Sequence, residues 1–310
     1  MLSAPHHREI NMLLYFVIIL FTFLLTMAVK GATTNNIGKP GCPTHCGNVT
    51  VPYPFGIGTD CSLDSYSFKL TCNTSYEPPK LFLRDSNIEI YNISESELRI
   101  PTSVAYRCYN QSGDVDANLI SGISISFFTF SAKNKFTVIG CDDYALITET
   151  NRADFSSGCF RLCRKARDVS NGECLGIGCC QTSIPKDLSF YNARLHTLQN
   201  HSNVWSFSRC GYGFLVEEGG FVFGGVNDLN TSSYNFVKRI ESTMLVVIDW
   251  VIEPNGSCGG VTLCKGNSSC YDGDGGGYRC KCMEGYEGNP YLDAGCQEQV
   301  IRPARGQWYL

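Results

Sequence analysis

Histidine is scarce in this chain, with five in 310 residues and only His45, His196 and His201 beyond residue 31. No His-x-x-x-His or Cys-x-x-Cys pair accompanies them, so the spacings that bring nitrogen and sulfur ligands onto zinc are missing. The "CPTHC" of residues 42–46 therefore does not read as half of a metal centre, and His45 is expected in a solvent-facing loop. Charged residues are few, 17% with a net −4, which leaves no overall basic surface for nucleic-acid phosphates. No Gly-x-Ser-x-Gly elbow and no carboxylate pair recognisable by spacing supports a secreted hydrolase. The "FGIG" of residues 55–58 lacks the Gly-x-Gly-x-x-Gly or Gly-Lys-Ser/Thr context of a nucleotide loop. A convincing helical repeat is absent, as is a second apolar run long enough to span a membrane.

Cysteine is abundant instead. Eighteen lie between Cys42 and Cys296, and their meaning depends on the compartment. Residues 13–29, "LLYFVIILFTFLLTMAV", form an uncharged apolar run behind an n-region whose only charges are Arg8 and Glu9, with Ala28, Gly31 and Ala32 as small residues at its end. This is the layout of a signal peptide over residues 1–31, with an uncleaved signal anchor as the alternative. An even cysteine count in a secreted chain points to disulfides. Asn48, Asn73, Asn92, Asn110, Asn200, Asn230, Asn255 and Asn267 each stand in Asn-x-Ser/Thr without an intervening proline, and are candidate glycosylation sites of a surface-exposed, extracellular chain.

Where the chain is apolar, its period is two. "SFKLTC" puts Phe68, Leu70 and Cys72 on one face, "NIEIY" does so with Ile88 and Ile90, and "ISISFFTF" with Ile123, Ile125 and Phe127. "TMLVVIDWVIEP" reads as a strand apolar on both faces, hence central, closed by Pro254. The predicted fold class is mainly β, with disulfide-rich β-sheet lobes followed by a small module at the C-terminal end.

Cysteine spacing divides the chain. Residues 42–108 hold Cys42, Cys46, Cys61, Cys72 and Cys108; residues 109–254 hold Cys141, Cys159, Cys163, Cys174, Cys179, Cys180 and Cys210. Five and seven are odd, so at least one bridge is expected to join these blocks into coupled lobes. Residues 258–296 hold Cys258, Cys264, Cys270, Cys280, Cys282 and Cys296, in the pattern C-x5-C-x5-C-x9-C-x-C-x13-C with Gly285 and Tyr286 near its end, and residues 297–310 form a short tail. The third block resembles an EGF-like module, too small for a core of its own and dependent on bridges. That resemblance implies the pairs Cys258–Cys270, Cys264–Cys280 and Cys282–Cys296. The acidic motif of calcium-binding EGF modules is replaced by "VIEPNGSC", and Asp272 is one residue too far from Tyr278, so a rigid spacer is expected.

"CPTHCGNVTVPYPFGIG" followed by "CSLDSYSFKLTCN" is similar to the galacturonan-binding module of the plant wall-associated receptor kinases. "CLGIGCCQTSIPKDL" at residues 174–188 resembles the cysteine-rich segment that follows it, and "CMEGYEGNPYLDAGC" completes the match in the EGF-like block. The kinase that the family name implies is missing here. No glycine-rich loop with a strand lysine, no His-Arg-Asp and no Asp-Phe-Gly occurs, and "ADFSSG" at Ala153 holds only the first two residues of the last. The chain reads as the ectodomain half of the family, secreted as such or cut short.

The resemblance implies pectin, specifically homogalacturonan, as ligand at the outer face of the plasma membrane or in the cell wall, with membrane-bound relatives as possible partners. A protein or peptide ligand is the alternative. In the opening stretch Pro52 and Pro54 fix φ, Gly56 and Gly58 are expected to supply positive φ, and Tyr53 and Phe55 either pack inward or offer a ring face to sugar. Galacturonan is a polyanion, whereas residues 42–108 carry five Lys/Arg against seven Asp/Glu. Its cationic candidates are Lys69, Lys80, Arg84, Arg99 and Arg107, with calcium as a conceivable bridge to pectate. A stronger basic run follows in "CFRLCRKARD", with Arg161, Arg164, Lys165 and Arg167, whose guanidinium forks match carboxylates bidentately.

Overall fold

The computed structural model describes residues 37–148, 156–172, 174, 177–260 and 262–299. The predicted signal peptide and residues 300–310 lie outside these, as does the "ADF" half of "ADFSSG". Strands dominate, as the period-two pattern predicts. One four-stranded sheet runs in the order Gly56–Ile57, Lys69–Asn73, Lys80–Leu83, Glu89–Ile90, its first pair parallel. A second has the order Phe128–Phe130, Leu245–Trp250, Glu97–Pro101, Asn92–Ile93. The strand Leu245–Trp250 is central as expected, with Val246, Val247 and Ile248 all buried.

A five-stranded antiparallel sheet follows the order Val115–Leu119, Ala105–Tyr109, Cys210–Glu217, Asn134–Ile139, Cys179–Ser183. Beside it, Ser121–Ser124, Phe190–Thr197, Asp142–Thr148 and Ser156–Leu162 form another. The described residues, from Ile37 to Gln299, make one compact unit.

Two expectations about local structure need correction. The "ISISFFTF" run is not one strand, because the backbone at Phe127 turns to φ 75° and separates Ser121–Ser124 from Phe128–Phe130. Ile125 is buried, but Phe127 is left 42% exposed. Among the described residues there are also two α-helices where no helical repeat was evident, α1 (Val226–Asn230) and α2 (Ser233–Thr243). In α2 only Phe236 and Ile240, one turn apart, are buried, a stripe too narrow to register as a period. Ser232 caps it, its hydroxyl accepting from the Asn235 N–H.

All eighteen cysteines are paired. Cys42–Cys61 and Cys46–Cys72 staple the opening block, and Cys108–Cys210 joins it to the next across adjacent strands. Cys141–Cys163, Cys159–Cys180 and Cys174–Cys179 follow, then Cys258–Cys270, Cys264–Cys280 and Cys282–Cys296.

The main core is built on rings. Phe55, Phe68 and Trp250 meet edge-to-face at 5.1 to 6.0 Å, and Tyr291 lies 6.0 Å from Trp250. Tyr291 and the fully buried Tyr278 come from the EGF-like segment, which corrects the spacer expectation. The segment contributes to the shared core because its own apolar content is too small to close one. Asn289 completes the junction, donating from Nδ2 to the carbonyls of Ile37 (2.9 Å) and Tyr53 (2.6 Å).

Candidate functional site

The opening motif folds as a scaffold. Tyr53 and Phe55 are buried, so they pack inward and offer no ring face to a sugar. Gly58 has φ 96°, as expected, but Gly56 does not need positive φ. It is glycine because a Cβ there would stand 2.2 Å from the Cys61 carbonyl. That close approach lets Gly56–Ile57 pair with Lys69–Leu70 and set the first sheet in place.

On this sheet Leu70 faces Leu83 and Cys72 faces Leu81 toward the core. Alternation then turns the cross-strand pairs Thr71/Phe82 and Asn73/Lys80 outward. Tyr76 packs on Phe82 at 6.2 Å, and the Lys80 ammonium lies 5.1 Å from the Tyr76 ring centre. At the strand end Arg84, φ 54°, donates its N–H to the Lys69 carbonyl and lays its guanidinium 5.2 Å from the ring centre of Tyr66. Tyr66 is 60% exposed and meets Phe127 edge-on at 5.0 Å. Its turn is fixed by Asp64, whose Oδ1 accepts from the N–H groups of Tyr66 and Ser67.

Most cations of the first block already have partners. Lys69 is 3.7 Å from Asp85, and Lys80 is 2.9 Å from Glu89, whose hydrogen bond raises the lysine pKa. Arg99 grips both carboxylate oxygens of Glu217 at 3.0 and 2.7 Å, and this hydrogen bonding pulls the Glu217 pKa below the usual carboxylate range. Arg107 lies 5.7 Å from the Tyr109 ring centre. Among the described residues neither Arg84 nor Arg107 is in an ion pair, and only Arg84 sits beside an exposed ring.

The later basic run is not joined to Lys69 and Arg84: Arg161 is on a different sheet, and Arg164, Lys165 and Arg167 follow it outside any strand. Arg161 is in the strand Ser156–Leu162, in register with Asp143. Arg164 and Lys165 are exposed, and Arg167 comes within 4.0 Å of Asp168. Arg164 also lines a cavity of about 360 Å³ with Asp142, Gln199 and Asn203. Asp272, the residue weighed for calcium, accepts the Cys258 N–H at 2.7 Å. Of the eight sequon asparagines seven are exposed and Asn73 is half-buried.

The sequence did not single out Tyr66 or Tyr76, and it marked Phe127 only as one face of an expected strand. The available signal was an aromatic set inside a Ser/Asp turn, "LDSYS", where strand alternation does not account for it.

These features define an extracellular-type, disulfide-stapled β protein with an aromatic and cationic sheet face. Residues 42–103 match the family described as "Wall-associated receptor kinase galacturonan-binding". Wall-associated receptor kinase 2 of Arabidopsis thaliana is 40% identical over 289 residues, covering 91% of this chain and 37% of that protein. Wall-associated receptor kinase 5 of the same plant is 36% identical over 295 residues, covering 92% and 37%. The chain thus carries a segment that matches the family named for galacturonan binding and resembles the wall-associated receptor kinases along nine-tenths of its length, while spanning under two fifths of theirs. No solved structure matches it.

Proposed function

We propose that this chain is a non-enzymatic, extracellular receptor segment that binds pectic galacturonan on the outer face of its first sheet. The observation that carries this is the Arg84–Tyr66 stack, an unpaired guanidinium over an exposed ring inside the family-matched segment. A uronide unit presents a C–H face and a carboxylate side by side. The ring of Tyr66 suits the first and the Arg84 fork the second. Lys69 and Lys80, held only in exposed or half-exposed ion pairs, can exchange their partners at small cost. Calcium would bridge further carboxylates to the acidic residues nearby.

The exposed Arg164, Lys165 and Arg167 favour a second location for the same ligand, since Asp168 is their one close acidic partner among the described residues.

The test is binding of the oxidised, secreted chain to de-esterified homogalacturonan, against a neutral glucan, with and without a calcium chelator. Tyr66→Ala with Arg84→Ser should abolish selective binding. Loss only on joint change of Arg161, Arg164, Lys165 and Arg167 to Ser would move the site to the basic run. No preference over the neutral glucan would replace the reading with a protein or peptide ligand.

A further inference from the structure

A groove of about 450 Å³ opens between the main body and the EGF-like segment. The exposed ring of Phe127 lies on it, held there by the positive φ that breaks its strand. Its far wall is closed by a bridge between the two parts. Lys186 pairs with Asp274 at 3.0 Å, and Asp187 sits so near Gly275 that a Cβ there would be 2.0 Å from its carboxylate. Asn255, exposed and followed by Gly256 and Ser257, lines the same groove.

We infer that the N-linked glycan of Asn255 folds back into this groove and braces the EGF-like segment against the body. Attachment exchanges one Nδ2–H for an Nδ2–C1 bond to the reducing-end sugar. The lipid pyrophosphoryl donor leaves as the pyrophosphate, and the proton is released. Four properties select this occupant.

A glycan on Asn255 is tethered at the groove, so its entry costs no bimolecular association and its effective concentration is high. The lining mixes the acceptors Asp187 and Asp249 with the donors Lys186 and Arg279, which suits sugar hydroxyls that both donate and accept. A polyanion would meet three carboxylates there, counting Asp274. The ring of Phe127 offers the flat apolar surface on which a sugar's C–H face stacks. The volume is within the 300 to 1,000 Å³, roughly, of small-molecule sites.

The experiment uses the full chain secreted from a eukaryotic host. Mass spectrometry reads occupancy at Asn255, and peptide N-glycosidase is applied to folded protein. The Asn255 glycan should be released much more slowly than that of the exposed Asn267, the difference vanishing on denaturation. Asn255→Gln and Ser257→Ala should each speed amide exchange in residues 273–277 and 186–189 about fivefold, as for loss of one ring-stacking contact. Phe127→Ser should do the same, and adding it to Asn255→Gln should change nothing more.

An unmodified Asn255, release as fast as at Asn267, or unchanged exchange in Ser257→Ala would each overturn the inference. An effect of Asn255→Gln without Ser257→Ala would assign it to the asparagine side chain and also overturn it.

Discussion

His201 Nε2 lies 2.9 Å from Asp143 Oδ1, and both side chains are wholly inaccessible to solvent. The other ring nitrogen, Nδ1, is 2.7 Å from the Ser208 carbonyl. A carbonyl only accepts, so Nδ1 must carry hydrogen, and the Nε2–Oδ1 contact then needs a second proton between ring and carboxylate. Tyr109 stacks on the imidazole at 4.5 Å, and Asp142 anchors the same loop by accepting from Thr197 and from the N–H groups of Gln199 and His201.

This geometry sets a pH dependence. Burial opposes the His201 charge, but the hydrogen bond and charge of Asp143, with the Ser208 carbonyl, outweigh it and hold the pKa above the ordinary histidine value of 6.5. Burial also raises the Asp143 pKa, against the pull of His201. Both shifts mean that the folded pair retains a proton which the unfolded chain releases. The His201 part of this stabilisation is fully present below the ordinary histidine value of 6.5 and declines as pH rises through the folded-state pKa, and the raised Asp143 pKa works in the same direction, its part fading above the ordinary carboxylate value of 3.8. Urea midpoints should therefore fall from pH 6 to pH 9. The double change His201→Gln with Asp143→Asn should flatten that slope, and a slope unaltered in the double variant would place its origin elsewhere.

The glycines of "PYPFGIG" should behave differently from each other. Gly56→Ala drives a Cβ to 2.2 Å from the backbone of Cys61, which the Cys42 bridge holds in place. It should cost about 3 kcal/mol or more and reduce oxidative refolding yield. Gly58→Ala meets no atom within 4 Å and incurs only the penalty of positive φ, about 1 kcal/mol. Comparable melting losses in the two variants would contradict the close-approach explanation.

How far the sequence discloses the molecule follows from the same kinds of contact. The strands were legible because Leu70 and Ile90 express a period of two and the Val246–Ile248 run is apolar on both faces, and the odd cysteine counts announced a bridge between the first two blocks, which is Cys108–Cys210. The α2 helix was not legible, since two buried residues make no pattern, and neither was the break at Phe127, which no proline or glycine marks. The candidate site was half legible. Arg84 and Lys69 stood out as charges, but the ion pairs that occupy Lys69, Lys80 and Arg99 depend on Asp85, Glu89 and Glu217, brought near by register and fold.

The bridges should differ in worth. Cys108–Cys210 closes 102 residues and Cys174–Cys179 only 5, so by chain entropy their loss costs about 4.7 and about 2 kcal/mol respectively. Paired Cys→Ala variants compared by denaturant unfolding check the order. An equal or greater loss for Cys174–Cys179 would show that local packing, not loop closure, dominates.

Arg84→Lys keeps the charge beside Tyr66 but gives up the planar fork. Affinity for de-esterified homogalacturonan should drop about tenfold, roughly 1.4 kcal/mol by the affinity relation. Wild-type affinity in this variant would mean that only net charge matters at the position.

Asn289 tests whether the EGF-like segment is part of the shared core. Its Nδ2 serves the carbonyls of Ile37 and Tyr53, and its Oδ1 accepts the Tyr291 N–H at 3.0 Å. Asn289→Ala leaves these groups unmatched, at about 1–3 kcal/mol for each that stays buried. Asn289→Asp keeps the shape yet sets a carboxylate against two carbonyl oxygens, so it should be at least as damaging. In both variants amide exchange should accelerate across residues 262–299 while the strand Cys210–Glu217 keeps its protection, because the lost anchor is local. Unchanged exchange in 262–299 would instead describe a module stable by its three bridges alone. The burial of Tyr278 and Tyr291 against the Trp250 core argues for the first outcome, since detachment would expose both rings.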